Sequence, residues 1–289
     1  MATKTQGDIQ SFIRNWGGRV RKNKSWFYRG EPENQIEYAF GQHFSFLKSV
    51  VPVGKGDKVL EVGCGRGSFG AFFADFGCRV TLTDLSEDIL NEAKRIFKYW
   101  KLDRRAEFLV SDAADLKLAN NTYDLTTSIG LLEHFKDPTD VIAEQMRVLK
   151  KGGVFTAYVV PKKLTMTTLI KPFNDMLRKN TLLFAPQRRM QKKVPLFRTT
   201  YDSAFYRKIV KKLGLKGIGA SGVYPYPAVS FSPEFPFSVM PDYFERALVN
   251  VFKNMEKLRS GTVLTHGPAM NPLPRDFLSG EGNHDEDAF

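Results

Sequence analysis

The chain has little of what stabilises secreted or metal-bound folds. It contains two cysteines, Cys64 and Cys78, among 289 residues, which is too few for a disulfide framework and gives no metal-ligand spacing. The four histidines, at positions 43, 134, 266 and 284, are scattered along the sequence. We therefore expect no metal site, and the scarcity of cysteine fits a reducing cytoplasm.

Long apolar runs are also lacking. No stretch approaches the roughly 20 apolar residues that cross a bilayer. The first ten residues, MATKTQGDIQ, have no apolar stretch of the kind found in a secretory signal. No internal repeat is visible. These features predict a cytoplasmic protein whose contact with a membrane, if it has one, is peripheral.

The net charge of +12 is concentrated in one segment. Residues 162–198, called the basic segment below, hold 10 basic residues and one acid, Asp175. Residues 199–289 hold 10 of each sign. A diffuse surplus would indicate only solubility, but a localised one favours an anionic partner. Apolar residues recur near helical spacing in the same segment, which predicts an apolar side as well.

Strand-like and helix-like patterns alternate between residues 57 and 160. Strands that alternate with helices pair in parallel through right-handed crossovers. The pattern therefore predicts an α/β fold with a doubly wound, mostly parallel sheet, whose ligands bind beyond the carboxyl ends of the strands. The predicted strands are 58–62, 79–84, 106–112, 123–130 and 153–160, and the predicted helices are 68–77, 86–100 and 138–153.

The alternation resumes after the basic segment. It predicts a helix at 201–214, a strand at 215–224, a helix at 242–259 and a last strand at 262–267. The stretch 225–241 is rich in proline and aromatic residues and predicts no regular element. Residues 270–289 are predicted to be a flexible acidic tail.

A glycine-rich turn, GCGRG, follows the first strand and opens a helix. Gly63, Gly65 and Gly67 permit a tight turn and close approach of the backbone to a ligand. The spacing is GxGxG, whereas a dinucleotide fingerprint would need glycine where Ser68 stands. Glu61, just before the turn, is also unusual for a nicotinamide site. The turn therefore favours a different cofactor.

Acids end the next two strands. Asp84 stands 17 residues after Gly67 and can accept hydrogen bonds from both ribose hydroxyls of an adenosyl group. Asp112 could accept from the adenine amino group while the backbone of Ala113 donates. Together with Glu61, these acids suit a cofactor with a sugar, a base and a cationic group. They suit a pyrophosphate poorly, because like charges repel.

These residues carry a resemblance to a known family. The stretches VLEVGCGRG, LTDLS, SDAADL, YDLTTSIGLLEHFKDP and RVLKKGGVFTAYVVP stand in the family order. The chain resembles the class I S-adenosylmethionine-dependent methyltransferases, in particular the small-molecule group that includes ubiquinone and menaquinone methyltransferases. The resemblance is good over 55–161 and loose over 200–225. It implies an N-terminal helical cap (1–54), a cofactor-binding core (55–161), a basic lid inserted after the fifth strand (162–199), the remaining core (200–269) and the tail (270–289).

The resemblance also implies roles for single residues, with S-adenosylmethionine as cofactor and S-adenosylhomocysteine as product. The glycine turn, including Cys64 as a small filler and Gly67, would hold the cofactor. Glu61, Gly63 and Gly65 would cradle its methionine part, and Asp84 would hold the ribose. Leu85, Asp112 and Ala113 would surround the adenine. Three residues would border the transferred methyl group: Ser128, Ile129 and Gly130. Three more would line the acceptor side: Leu132, Glu133 and His134.

Candidates for the acceptor side have competing interpretations. The His134 imidazole could take a proton from the acceptor, or it could only shape the pocket; methyl transfer from a sulfonium does not always need a base. Tyr28, a second catalytic candidate, and Tyr38 could contact the acceptor, because the segment before the first strand covers the active site in similar enzymes. Alternatively, these aromatic rings pack a helix onto the sheet.

The basic segment, with Arg188 and Arg189 as candidate acceptor ligands, has three functional interpretations. It could be a lid over an anionic or amphiphilic small molecule, an amphipathic element on an anionic membrane, or a grip on nucleic acid. A solvated charged face is the structural alternative. The nucleic-acid interpretation is the least favoured, for two reasons. The sequence contains no recognisable RNA-binding module, and the apolar residues of the segment suit an apolar pocket better than a phosphate backbone.

The sequence thus predicts a methyltransferase whose acceptor is small, partly apolar, and anionic or membrane-derived, modified at oxygen, nitrogen or carbon. One alternative is an RNA methyltransferase. Another is a catalytically idle, membrane-associated protein that binds S-adenosylmethionine. The sequence gives no oligomeric state.

Overall fold

The computed structural model describes residues 25–159, 197–221 and 242–260. The predicted lid at 162–199 with Arg188 and Arg189, the predicted strand at 262–267 and the predicted acidic tail at 270–289 lie wholly or mostly outside these residues. Within them, the elements follow one another in this order: α1 (Gln35–Val50), β1 (Lys58–Val62), α2 (Ser68–Phe76), β2 (Arg79–Asp84), α3 (Glu87–Tyr99), β3 (Ala106–Val110), β4 (Tyr123–Ile129), α4 (Thr139–Arg147), β5 (Leu149–Tyr158), α5 (Ser203–Lys212) and α6 (Asp242–Ser260).

The five strands form one parallel sheet in the order β3-β2-β1-β4-β5. The chain winds outward from β1 to β3 and then returns to the other side of β1 with β4. The predicted doubly wound α/β sheet is therefore confirmed. The switch in direction lies between β1 and β4, and it opens a crevice at the carboxyl ends of these two strands.

Helices cover both faces of the sheet, as the apolar strand β1 requires. One core contains Phe69, Phe73 and Phe97 and joins α1, α2 and α3 to the sheet. The other core contains Ile142 and Val210 and joins α4 and α5 to the opposite face. Four of the five residues of β1 are buried, as expected for a central strand with apolar layers on both sides.

The predicted helix at 138–153 is too long. Helix α4 ends at Arg147, and β5 begins at Leu149 rather than at 153. Val148 is fully buried, and its carbonyl accepts hydrogen bonds from the backbone N–H groups of Thr122 (2.8 Å) and Tyr123 (3.0 Å). Pairing with β4 thus takes the backbone out of the helix before its basic residues and glycines are reached.

Smaller corrections concern strand ends. Strand β3 ends at Val110 rather than 112, and Asp112 and Asp115 then form an isolated bridge beyond it. The predicted strand at 215–224 is not formed over 215–221, where the described backbone is irregular. In the described ranges, no helix is both long enough and apolar enough to cross a membrane.

The two ends of the described chain are joined to each other. The buried Glu245 carboxylate of α6 accepts hydrogen bonds from Gln35, through the backbone N–H (2.9 Å) and through Nε2 (3.1 Å). Tyr38 of α1 stacks on Phe252 of α6. Helix α1 in turn packs its Phe44 ring against the α2 phenylalanines, including Phe73. Helix α1 is therefore part of the folded core.

Candidate active site

The glycine turn has two packed glycines and one that faces open space. A Cβ at Gly63 would lie 2.7 Å from Leu131, and a Cβ at Gly67 would lie 2.6 Å from Leu82, so the core excludes side chains at both positions. At Gly65, leaving aside its two chain neighbours, no atom of the described residues lies within 4 Å of a Cβ built there. The room at Gly65 is what a cofactor that closely approaches the turn requires.

Cys64 lies inside the glycine turn, and its predicted place in the cofactor site stays a prediction. It is buried, its N–H donates to the Thr83 carbonyl (2.9 Å), and its thiol contacts the Gly65 carbonyl. Burial, followed by the charges of Asp84 and Glu61, raises the pKa of this thiol well above its ordinary value. A thiol with a raised pKa is a poor nucleophile at neutral pH.

Glu61 joins β1 to the first turn of α2. Its Oε2 accepts a hydrogen bond from the Gly70 N–H (2.8 Å), so a carboxyl from the sheet caps the helix. A Cβ at position 70 would lie 2.7 Å from that oxygen, so a side chain there would displace the Glu61 carboxyl. Burial raises the pKa of Glu61 to about 8, with a further contribution from Asp84. The sequence analysis did not assign Gly70, although it belongs to the same glycine-rich run.

Asp84 stands at the end of β2 and fixes the glycine turn. Its two oxygens accept hydrogen bonds from the backbone N–H groups of Gly65 and Ser86, each 3.0 Å long. Burial raises the pKa of Asp84, although these hydrogen bonds oppose the shift. Leu85, next in the chain, is half-buried beside it. The buried carboxyls of Asp84 and Glu61 thus bind the glycine-rich run at two places, Gly65 and Gly70.

Asp112 and Ala113 lie beyond the end of β3. Asp112 is exposed and accepts a hydrogen bond from the Ala114 N–H (2.9 Å), while Ala113 is half-buried. Their position at the same edge of the sheet as Asp84 follows from the β2–β3 pairing, which aligns Asp84 with Val110. The adenine contact of both residues remains a prediction.

Strand β4 ends at the switch point. The Ser128 side chain is fully buried, and its hydroxyl has no hydrogen-bonding partner in the described part of the chain. Ile129 and Gly130 are half-buried and continue toward the crevice. The Gly130 N–H donates to the Tyr158 carbonyl (2.9 Å), which keeps the end of β4 attached to β5. This geometry places the residues predicted to border the methyl group next to the glycine turn, where Leu131 contacts Gly63.

The acceptor-side residues Leu132–His134 form a short 3-10 turn. Leu132 is buried in the core made by α4 and α5. The Glu133 carbonyl accepts from the Thr199 backbone N–H (2.7 Å) and hydroxyl (3.1 Å), and its carboxylate pairs with Arg198 (2.9 Å). Residues 197–199, called the strap below, are therefore bound to this turn. Sequence analysis missed Arg198 as a partner of Glu133, because 65 residues separate them.

His134 holds the strap through its ring. Its Nδ1 lies 2.8 Å from the Phe197 carbonyl. Burial lowers the pKa of His134, and the positive charge of Arg198 lowers it further. The Phe197 carbonyl and the negative charge of Glu133 act in the opposite direction. The neutral imidazole uses an N–H to hold Phe197, which gives His134 a positioning role. Its role as a base remains a prediction.

Tyr28 and Tyr38 have packing roles in the structure. The Tyr28 ring meets Phe72 of α2 edge to face, and its hydroxyl lies against Gly41 of α1. Burial, with the charge of Glu37 adding to it, raises the pKa of Tyr28 to about 12. Tyr38 is only 2% exposed, between α1 and α6. These positions favour the packing interpretation over acceptor contact.

In the described parts of the chain, no group of three or more histidine, cysteine or acidic side chains could hold a metal ion. The site consists instead of a glycine turn with room at Gly65, buried carboxyls at the ends of β1 and β2, and an open end of β4. Together with the sheet order, this arrangement defines a class I S-adenosylmethionine-dependent methyltransferase fold.

Comparisons with known proteins agree with this class. Residues 60–157 match the family model described as a methyltransferase domain. The chain is 26% identical to the sterol 24-C-methyltransferase of Saccharomyces cerevisiae, over 52% of this chain and 47% of that protein. It is 34% identical to the ubiquinone biosynthesis O-methyltransferase of Thiobacillus denitrificans, over 34% of this chain and 42% of that protein. Residues 60–157 thus form a methyltransferase domain, and the chain spans about half the length of these relatives or less.

One solved structure shows the same fold over a longer range. A chain of the complex between the Trm112 methyltransferase activator of Haloferax volcanii and a methyltransferase superposes with a TM-score of 0.51. The match covers 86% of this chain and 91% of that chain at 17% identity. At this identity the likeness concerns the fold alone.

Proposed function

We propose that this protein transfers a methyl group from S-adenosylmethionine to a small, partly apolar acceptor. The observation that carries the proposal is the space at Gly65 among the described residues, where the Asp84 carboxyl binds the Gly65 N–H and the buried Glu61 carboxyl interacts with Asp84. Without a bound group, this arrangement would leave two carboxyls desolvated beside an unfilled turn.

The residues fit the cofactor part by part. Glu61 would pair with the cationic methionine end, because a positive charge compensates a buried carboxylate. Asp84 would accept hydrogen bonds from the ribose with the lone pairs that Gly65 and Ser86 leave free. Leu85 would contact the adenine. Each role is supported by the position of the residue at the carboxyl edge of the sheet.

S-adenosylmethionine would supply a methyl group on a sulfonium: an electron pair of the acceptor, a lone pair on oxygen or nitrogen or a π pair on carbon, bonds to the methyl carbon, and the C–S electron pair returns to sulfur. The protein contributes orientation and exclusion of water. The glycine turn and Asp84 would fix one partner, and the end of β4 would fix the other. The acceptor loses a proton when its nucleophile is a hydroxyl or an amine.

The relatives support a small-molecule acceptor, since they are named for sterol and ubiquinone methylation. We propose that the basic segment covers the acceptor. The support is the strap, which lies at the C-terminal end of this segment and is bound to the turn at Glu133 and His134. Co-sedimentation with anionic vesicles that falls as salt rises would show that the segment also contacts a membrane surface.

The activity can be tested with tritiated S-adenosylmethionine and a fractionated cell extract. Label in the organic phase would support the proposal. Label in RNA or protein would contradict the acceptor class, and cofactor binding without label in any fraction would indicate an idle protein.

The Asp84→Ala variant tests the site. We expect its affinity for S-adenosylhomocysteine, measured by calorimetry, to fall at least about tenfold, because charge-assisted hydrogen bonds to the ribose are lost. The matched control is Asp88→Ala, at an exposed position in the first turn of α3. Equal affinity in Asp84→Ala and wild type would contradict the assignment.

A further inference from the structure

The end of helix α3 carries a dense group of cations on its exposed side. Six basic residues and one acid, Asp103, lie between positions 94 and 105, and all seven are exposed. This group, together with Tyr99, is called the α3 patch below, and its basic residues are Lys94, Arg95, Lys98, Lys101, Arg104 and Arg105. Because Arg105 directly precedes the first residue of β3, the patch lies at the amino edge of the sheet, opposite the glycine turn.

Half of these cations have no counter-charge within the described part of the chain. The side chains of Lys98, Lys101 and Arg104 make no hydrogen bond or ion pair with any described residue. Arg105, in contrast, donates to the Gly77 carbonyl (3.0 Å) and so holds the patch to the end of α2. Neighbouring like charges repel one another, so a fixed group of this kind favours the approach of an anionic partner.

Lys101 occupies a backbone position that two other helices give to glycine. It has a left-handed conformation with φ of 57°, and Leu102 after it donates its N–H to the Phe97 carbonyl (2.8 Å). Helices α2 and α5 end with the same pattern of hydrogen bonds, and there the left-handed residue is Gly77 or Gly214. A side chain in this conformation costs free energy that glycine avoids.

The fold alone does not account for the lysine at position 101. A cation is favourable at the C-terminal end of a helix, but Lys98 in the last turn of α3 already supplies that charge. Strain of the backbone at a residue whose side chain has no partner in the described chain points to a use of that side chain in binding. Glycine at this position would be the better choice for stability only.

Tyr99 places an aromatic ring among these cations. It is 78% exposed, more than any other large hydrophobic residue that the structure describes. Its ring meets Trp100 edge to face, and Trp100 packs in the same way on the buried Phe27, so the tyrosine stands on a rigid base. At a bilayer surface, tyrosine rings lie at the level of the headgroups, and lysine chains reach the lipid phosphates.

A lipid surface fits the patch better than a nucleic acid does. Proteins that bind single strands stack successive bases on several rings along a positive groove. The patch instead offers one exposed ring on the outer side of a helix. Clusters of four to eight lysines and arginines on an amphipathic helix are typical of contact with anionic lipids.

We propose that the α3 patch docks this protein on an anionic lipid surface, with Lys98, Lys101 and Arg104 at the lipid phosphates and Tyr99 between the headgroups. The inference goes beyond methyl transfer and does not depend on it. Since the patch and the glycine turn lie at opposite edges of the sheet, the docked protein keeps its crevice free for cofactor exchange.

The Lys101→Gly variant separates binding from stability. The assay is co-sedimentation of the full chain with vesicles of phosphatidylcholine and phosphatidylserine, with pure phosphatidylcholine as reference. We expect the affinity for the anionic vesicles to fall about fivefold, as the loss of one cation near such a surface allows. The melting temperature should stay equal or rise. The matched control is Asn121→Gly, at the other non-glycine residue of the described chain with a positive φ (51°), which should bind as wild type does.

A triple variant tests the charge of the patch. Glutamine at positions 98, 101 and 104 together should weaken binding to anionic vesicles about 100-fold at low salt, and much less at high salt. The matched control has glutamine in place of Lys208, Lys211 and Lys212, three exposed cations near the end of α5. We expect this control to stay within about threefold of wild type, because its cations lie outside the patch.

Tyr99→Ser tests the aromatic ring. It should weaken binding by a similar factor at low and high salt, because the transfer of a ring into the headgroup layer is not screened. Tyr243→Ser, at another exposed tyrosine in α6, is its control and should bind as wild type does.

Four results would overturn the proposal. The first is a wild type without preference for phosphatidylserine vesicles. The second is equal weakening in the two triple variants, which would show an effect of net charge alone. The third is a lower melting temperature of Lys101→Gly, which would contradict the argument from backbone strain. The fourth is binding of a polyuridine strand that is tighter than vesicle binding and is lost in the patch variant, which would assign the patch to nucleic acid.

Discussion

The buried Glu61 should make the stability of the protein depend on pH in a way that one substitution removes. Its folded-state pKa is about 8, against an ordinary value of 4.5, because burial disfavours the charged form. Between these two values the folded protein keeps the proton, while the unfolded chain has lost it. The stabilising effect of this proton is complete below pH 4.5 and is lost as pH rises to about 8.

The size of the effect follows from the shift. In that window, one proton of difference changes the free energy of unfolding by about 1.4 kcal/mol per pH unit. From pH 5 to pH 7, Glu61 should therefore lower the stability of the folded state by about 3 kcal/mol. Glu61→Gln removes the titration but keeps a carbonyl oxygen that can accept from the Gly70 N–H.

Urea unfolding at several pH values between 5 and 8 measures this difference. Asp84 is present in both proteins, so the difference between the two curves contains the titration of Glu61 together with its coupling to Asp84. We expect Glu61→Gln to gain stability over wild type steadily up to pH 8, and the exposed control Glu87→Gln to show no such trend. A difference curve that is flat from pH 5 to 8 would refute the reasoning.

The same substitution should act in the opposite direction on cofactor binding. A cationic ligand favours the ionised Glu61, so the affinity of wild type for S-adenosylmethionine should rise with pH toward 8. Glu61→Gln should bind weakly at every pH. A variant that is more stable yet binds less would identify Glu61 as a residue kept for its ligand rather than for the fold.

Further predictions concern the glycine turn and the last helix. Gly65→Ala should unfold at nearly the wild-type urea concentration, apart from about 1 kcal/mol of backbone strain, but calorimetry should show loss of S-adenosylhomocysteine binding. Gly67→Ala should be less stable than Gly65→Ala by about 1–3 kcal/mol, because its new methyl group overlaps Leu82. Similar melting temperatures of the two variants would contradict the geometry of the turn. Glu245→Ala should destabilise the protein by about 2–3 kcal/mol, because both Gln35 donors lose a buried partner. Urea unfolding measures this loss of stability. A change below about 0.5 kcal/mol would show that α6 does not stabilise α1.

Several features of this protein were already determined by its local sequence. The alternation of apolar strands with amphipathic helices predicted the parallel sheet, because each element must bury one side of its own residues. GCGRG predicted the turn, since the spacing of glycines and the preceding strand lie within a dozen residues. The acids Glu61 and Asp84 were predicted at strand ends because parallel strands end at one edge of the sheet.

Other features depended on contacts between distant residues. The boundary between α4 and β5 was set by the pairing of Val148 with the start of β4, which overrode the helical pattern of the following lysines. Tyr28 and Tyr38 became packing residues because α2 and α6 lie against them. Aromatic residues serve equally in pockets and cores, so only their neighbours could distinguish the two roles.

The acceptor side of the site combines residues that the local sequence indicated with contacts that only the tertiary structure showed. The stretch LLEHF marked Glu133 and His134 as candidates, but it contained no sign of the strap that occupies one Glu133 oxygen and a His134 nitrogen. Which oxygen is free depends on Arg198, which is 65 residues away in the chain. The sequence specified the chemical groups of the site. The tertiary structure decided which of their atoms form hydrogen bonds within the protein, because these bonds join segments that are distant in the chain.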